Sequence, residues 1–351
     1  MNYNDLKLTA SAAPHIRTRS GTRQLMGEVL TALLPALGFA VFNFGIRALA
    51  NVLISAGGCC VFELLYRAIC KKDITAGDLS AAVTGVLIAF TCPVTTPYEL
   101  LLLGDFFAIV LIKQLWGGIG KNLLNPALAA RALLLFWSGK MSVTVGPRTS
   151  VPLWGVPDAV TSPTPMSLLR QNDLAGLQEL YGLPEMLAGL TGGAVGEVCT
   201  LLLLLGGVYL IVRRVISWRI PVCYLGTAAV LLFLFPRGNA PADWMLYNLL
   251  GGGLVLAAFF MAADYATSPI RPACQMIYGA GCGALTVLFR YIAPGNEGIC
   301  IAVLLMNLTA RPLDLYLRPG GLKMLKKDLQ ELPSKPGEIK KQFSGRLKKQ
   351  P

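Results

Sequence analysis

The stretch LMGEVLTALLPALGFAVFNF, residues 25–44, holds one ionisable side chain, Glu28. A membrane-spanning helix needs roughly 20 consecutive, mostly apolar residues, and this run supplies them. Beyond Gly45 comes a second run at 47–69. The pattern recurs at 79–96, 99–116, 122–138, 187–212, 220–236, 243–262, 272–292 and 297–312. The third and tenth runs are short and interrupted. Together these runs predict an all-α, polytopic membrane protein of about ten transmembrane helices.

Composition supports the same class. The 351 residues are 54% hydrophobic and 14% charged, whereas soluble domains carry about 25% charged residues. Lipid is the natural solvent for the excess apolar surface. The net charge of +12 invites a nucleic-acid reading, but ten of the 31 basic residues lie between Arg318 and Lys349. A basic tail beside a membrane span reads as a topology signal that meets anionic lipid, so no nucleic-acid partner is expected. The nine cysteines contain no CxxC pair, and His15 is the one histidine. Clustered ligands are what metal sites need, so the cysteines read as small hydrophobes and no metal site is expected.

Basic residues orient the chain. With the N-terminus inside, Arg67, Lys71, Lys72, Lys113, Lys121, Arg213, Arg214, Arg219, Arg271 and the tail face the cytoplasm. Arg47, Lys140, Arg148, Arg170, Arg237 and Arg290 then fall outside. The bias favours N-in and C-in. The expected organisation is a cytoplasmic segment 1–24, a membrane half 25–138, an outside loop 139–186, a second half 187–317 and a basic cytoplasmic tail 318–351. The loop is too polar to span and too rich in proline to form one helix.

A weak internal repeat is visible. Asp78 leads an apolar run ending in Thr91-Cys92-Pro93, followed by Asn125-Pro126 and Arg131; Asp243 leads one ending in Thr267-Ser268-Pro269, followed by Asn307 and Arg311. Two five-helix halves of this kind predict inverted repeats, with broken helices near the midplane. Asn125-Pro126 suggests such a break, and Gly251-Gly252-Gly253 suggests close helix packing. Ionisable residues within or beside the apolar runs are Glu63, Asp105, Arg131, Glu197, Asp264 and Arg311. Snorkelling toward the interface is the bland account of several; a place in an ion route is the functional one.

The strongest local signal is Asp158-Ala159-Val160-Thr161-Ser162-Pro163-Thr164-Pro165 in the outside loop. Two prolines fix the backbone on either side of Thr164 and present hydroxyls on a rigid turn. Gly117-Gly118-Ile119-Gly120-Lys121 is glycine-rich, but it lacks the phosphate-loop spacing and a preceding strand.

The 158–165 segment resembles the flavin-attachment motif D-x-x-(S/T)-G-A-T of a respiratory membrane-subunit family. That family comprises the D-subunit of the Rnf ferredoxin:NAD oxidoreductase complex and the homologous B-subunit of the sodium-pumping NADH:quinone oxidoreductase. Further segments resemble it in the same order: Pro14-His15, Asp78 to Gly85, Gly117 to Arg131, Ala263-Asp264 to Pro269, and Met306-Asn307 with Pro312 to Asp314. Here Ser162-Pro163 stands where the motif has Gly-Ala. The resemblance implies FMN joined by a phosphodiester to Thr164, with Asp158 and Ser162 in the motif and Thr161 as the alternative acceptor. It further implies a second, non-covalent flavin, maturation by a flavin transferase, and other membrane and peripheral subunits, one of them flavin-bearing. The chain would then be a subunit of a ferredoxin:NAD oxidoreductase in the inner membrane, relaying electrons coupled to Na+ or H+ passage, with little activity alone. Asp105, Asn125 and Asp264 are the expected ion-route residues. The rival readings are a secondary transporter or channel without a redox cofactor, and a structural anchor for other subunits.

Overall fold

The computed structural model describes residues 21–72, 76–137, 163–197, 199–238, 240–292 and 298–317. The expected N-terminal segment lies mostly outside these residues, and the basic tail wholly so. α1 (Thr22–Phe44) and α2 (Ile46–Ile69) are joined by Gly45 alone, at φ 79°, a conformation glycine adopts without a Cβ clash. α3 (Ser80–Thr91) is apolar all round and buried at every residue except Ala82, as expected of a helix with no solvent face. It stops before Cys92, whose extended backbone is the conformation that Pro93 imposes on the residue before it. Gly85 permits its contact with α2: a Cβ there would lie 2.5 Å from Ser55 O.

α4 runs from Tyr98 to Phe106 and continues as a π-helix over Phe107–Gln114. Three glycines at positive φ, Gly117, Gly118 and Gly120, turn the chain into α5 (Pro126–Trp137). The described part of the expected loop 139–186 and the residues just after it form three short helices, α6 (Pro165–Arg170), α7 (Leu174–Leu180) and α8 (Leu183–Ala188). Pro165 and Pro184 sit in the first turns of α6 and α8, where a missing N–H costs nothing.

The expected run 187–212 is not one helix. Gly189 ends α8 at φ 87°, and the chain then extends along α3, with Val195 N donating to Cys92 O and Gly196 N to Phe90 O. Helix resumes as α9 (Thr200–Val212), followed by α10 (Arg219–Leu234). The run 243–262 is also broken. α11 (Pro241–Leu250) and α12 (Leu254–Leu256, continuing as a π-helix over Ala257–Met261) meet at 62°. Gly252 and Gly253 both take positive φ, so this triplet makes the bend, and it is also closely packed: a Cβ on either would lie 2.8 Å from a neighbouring side chain. Nor does 122–138 contain a break within its helix; Asn125 precedes the first turn of α5 and caps it. α13 (Pro272–Ile292) and α14 (Gly298–Tyr316) complete the order.

α1, α2, α13 and Gly298–Leu315 of α14 are long and apolar enough to cross a membrane, and the bent α11–α12 pair makes a fifth. α3, α5, α9 and α10 are shorter apolar helices, so ten full-length crossings are not found among the described residues. Large apolar side chains such as Leu34, Leu53, Leu205 and Val230 point outward, the surface a multi-pass membrane protein presents to lipid. The early and late helices pack together through α1 against α9 and α5 against α14.

Candidate functional site

Thr164 stands at the N-cap of α6. Pro165 holds it extended at φ −75°, ψ 153°. Its Oγ1 accepts from Ser167 N at 3.2 Å, while Ser167 Oγ donates to Thr164 O at 2.7 Å. The preceding carbonyl, Pro163 O, accepts from Tyr181 Oη at 3.2 Å, and Tyr181 O accepts from Tyr247 Oη of α11 at 3.1 Å. Met166 is buried against the hinge; a Cβ on Gly252 would lie 2.8 Å from Met166 Cγ. From the other side Arg290 of α13 donates through Nη1 to Asn248 O and through Nη2 to Gly251 O, the latter at 3.0 Å. Thr164 is therefore fixed, through its neighbours, to the broken span. Asp158, Thr161 and Ser162 lie outside the described residues.

A second feature sits between the halves. A cavity of about 160 Å³ is lined by Met26 and Val29 of α1, Val83 and Leu87 of α3, and Phe259 and Phe260 of α12. Its polar wall includes Ser80, Lys113, Asn122, Asn125 and Asp264. Asn125 Oδ1 accepts from Ala127 N and Leu128 N, capping α5, while its Nδ2 donates to Met261 O at 3.1 Å. With its amide oriented to donate to Tyr278 Oη, Asn307 accepts from Asn125 N at 3.0 Å. The two asparagines of the sequence repeat thus touch.

Behind the cavity wall lies a buried charge network. Lys113 Nζ is 3.1 Å from Glu63 Oε2 and donates to Ser80 Oγ at 2.6 Å. Glu63 Oε1 accepts from Gln114 Nε2 at 2.6 Å and lies 3.6 Å from Arg67 Nε. Ser80 Oγ in turn donates to Asp78 Oδ1 at 2.8 Å. The π-helical turn carries the adjacent Lys113 and Gln114 onto the same carboxylate; such turns recur at functional sites.

Of the three expected ion-route residues, Asn125 and Asp264 share the cavity, whereas Asp105 does not line it. Asp105 is fully buried between α2 and α4 and accepts from Ser55 Oγ at 2.6 Å. Neither Glu63 nor Asp105 snorkels. Lys113 and Arg290, expected to face water at the two membrane surfaces, are also buried, at 2% and 8% exposure. Both stand near the ends of apolar runs, where a basic residue ordinarily marks topology; Gln114 beside Lys113 is the one sequence hint of an inward-facing polar pair.

The apolar helices define a multi-pass membrane protein with some polar groups buried in its core, and sequence comparison gives it a family. Residues 9–323 match the model of the NQR2, RnfD, RnfE family, and the chain belongs to that family. It is 40% identical to the D-subunit of the Na(+)-translocating ferredoxin:NAD(+) oxidoreductase complex of Acetobacterium woodii, covering 93% of this chain and 99% of the relative. It is 37% identical to the D-subunit of the proton-translocating ferredoxin:NAD(+) oxidoreductase complex of Clostridium ljungdahlii, over 89% and 95%. With the D-subunit of the ion-translocating oxidoreductase complex of Rhodobacter capsulatus it shares 36% identity, over 83% and 88%.

Proposed function

We propose that this chain is a membrane subunit of an ion-translocating ferredoxin:NAD oxidoreductase complex and carries FMN on Thr164 through a phosphodiester. The observation that carries the cofactor assignment is the direction of one hydrogen bond. Thr164 Oγ1 accepts from Ser167 N, and among the described residues no acceptor takes its hydrogen. Esterification replaces that hydrogen and leaves the oxygen's cap in place, so the bonding of this hydroxyl is compatible with the attachment. In forming the ester, Thr164 Oγ1 would bond to the flavin-bearing phosphorus of a flavin dinucleotide, the phosphoanhydride bond would break, a nucleoside monophosphate would leave, and the hydroxyl proton would pass to solvent. Once bound, the flavin supplies a carrier that passes electrons singly between subunits.

The chain's own residues do the rest. Tyr181, Met166 and the α6 cap hold the attachment point, and Asn125 and Asp264, polar residues in a mainly apolar cavity, offer an ion a stopping place between the halves. Asp105 is a separate buried carboxylate. The two five-helix sets are read as inverted repeats; the α1–α9 and α5–α14 pairings and the Asn125–Asn307 contact support this. The relatives' names differ on the ion, so Na+ or H+ is the cargo class. The proposed setting is the inner membrane, N-in and C-in, with a flavin transferase, a second flavin-bearing subunit and a non-covalent flavin as associates.

Denaturing gel electrophoresis of the subunit, coexpressed with a competent flavin transferase, tests the assignment. Flavin fluorescence should follow the wild-type chain and vanish in Thr164→Val. A dark wild-type band would remove the cofactor and leave a transporter or an anchor.

A further inference from the structure

The hinge between α11 and α12 has two sides. On one, Met166 lies against Gly251 and Gly252, two residues after Thr164. On the other, α12 carries Phe259 and Phe260 into the cavity, and Met261 O accepts from Asn125. The α-bonded and π-bonded pieces of α12 contain eight buried residues, Leu254 to Met261, with no side-chain nitrogen or oxygen among them. Any tilt of this piece therefore moves the cavity wall rather than dissolving into solvent. Arg290 stabilises the fixed side: it takes the last carbonyls of α11, Asn248 O and Gly251 O, which the hinge leaves without helical donors. The tyrosine chain Pro163–Tyr181–Tyr247 ties the turn to that same fixed side.

We infer that Met166 and Tyr181 are positioning residues that couple the group on Thr164 to the cavity through the Gly251–Gly253 hinge. Tyr181 anchors the turn to α11, and Met166 presses on the glycines from which α12 departs. A change in the redox state of the group held on Thr164 shifts the seating of Met166, and α12 passes the shift to Phe259 and Phe260. This rests on the flavin assignment to Thr164, but the two can fail separately.

The test uses the whole complex in native membranes with a Val83→Cys reporter, since Val83 lines the cavity and is 8% exposed. N-ethylmaleimide labelling of the reporter peptide is followed by mass spectrometry in air-oxidised and in dithionite-reduced samples, and in-gel fluorescence is recorded on the same material. Labelling rates should differ about fivefold or more between the two states. The difference should vanish in Thr164→Val. In Met166→Ala and Tyr181→Phe it should shrink while flavin fluorescence is retained, and Met166→Leu should restore it. Equal labelling in both states of a fluorescent parent overturns the coupling, as does an undiminished difference in fluorescent Met166→Ala and Tyr181→Phe. A dark parent overturns the flavin assignment instead, and the inference with it.

Discussion

Lys113 Nζ meets Glu63 Oε2 at 3.1 Å with neither side chain more than 2% exposed, a charge pair that bridges α2 and the π-helical end of α4. Removing Lys113 leaves the buried Glu63 with Arg67 as a nearby cation, at a cost below the roughly 3–5 kcal/mol of a wholly uncompensated buried charge. Lys113→Ala should therefore lower the thermal midpoint of the detergent-solubilised complex sharply. Glu63→Leu with Lys113→Met should recover most of the loss, because two apolar groups of similar volume replace two ions. A double variant as unstable as the single one would contradict this account.

Close helix contact gives a second prediction. Alanine at Gly85 would place its Cβ 2.5 Å from Ser55 O and 2.6 Å from Ala56 Cα, both backbone atoms that cannot rotate away. Gly57, on the facing helix, has nothing within 4 Å of a Cβ. Gly85→Ala should destabilise by about 1–3 kcal/mol, and Gly57→Ala should be neutral or slightly stabilising because alanine favours helix. Unfolding midpoints of the two variants, compared side by side, decide the matter.

Asn125 serves two partners with two ends of one amide. Asn125→Asp should keep the cap on α5 and lose the bond to Met261 O, whereas Asn125→Ala should lose both. The cap alone is worth about 1 kcal/mol. The aspartate variant should sit between the parent and alanine in stability, and its ion-coupled electron transfer should fall if the cavity lies on the route. Ion uptake by proteoliposomes holding the complex measures the second effect.

At Thr164 the hydroxyl, not the methyl, is the reactive group. Thr164→Ser keeps a nucleophilic oxygen and a good N-cap, so its band should remain fluorescent at a reduced yield. A dark Thr164→Ser band beside a bright parent would mean that the methyl group is needed for recognition.

The membrane class was legible because apolar runs such as 25–44 and 47–69 follow directly from lipid as solvent, and both are helices close to the expected bounds. Breaks were harder to read. Gly251 to Gly253 read as a site of close packing, which they are, but the bend they also make depends on the positive φ of Gly252 and Gly253, which the sequence does not show. The run 187–212 hid an irregular, turned segment because Val195 and Gly196 satisfy their N–H groups on α3 and the residue that follows it, partners distant in sequence. Of the site, Asn125 and Asp264 could be singled out as costly polar groups in apolar runs, and both line the cavity. Lys113 and Arg290 could not, since a terminal basic residue carries the same signature whether it turns toward water or inward. The α6 cap at Thr164 follows the Pro163-Thr164-Pro165 pattern, but its link to α11 runs through Tyr181, which no local pattern marks.

At Gly251–Gly253 two helix dipoles terminate inside the fold. The negative end of α11 and the positive end of α12 are brought together there, and each helix terminus carries about half an elementary charge. Arg290 lies at the first, and the Glu197 carboxylate lies beside Gly253 at the second, where a Cβ would come within 2.8 Å of its Oε1. Each half-helix therefore ends on a resident side-chain charge of opposite sign. A break neutralised from within needs no mobile ion to satisfy its two helix ends, so the span stays broken whether or not the cavity beside it is occupied.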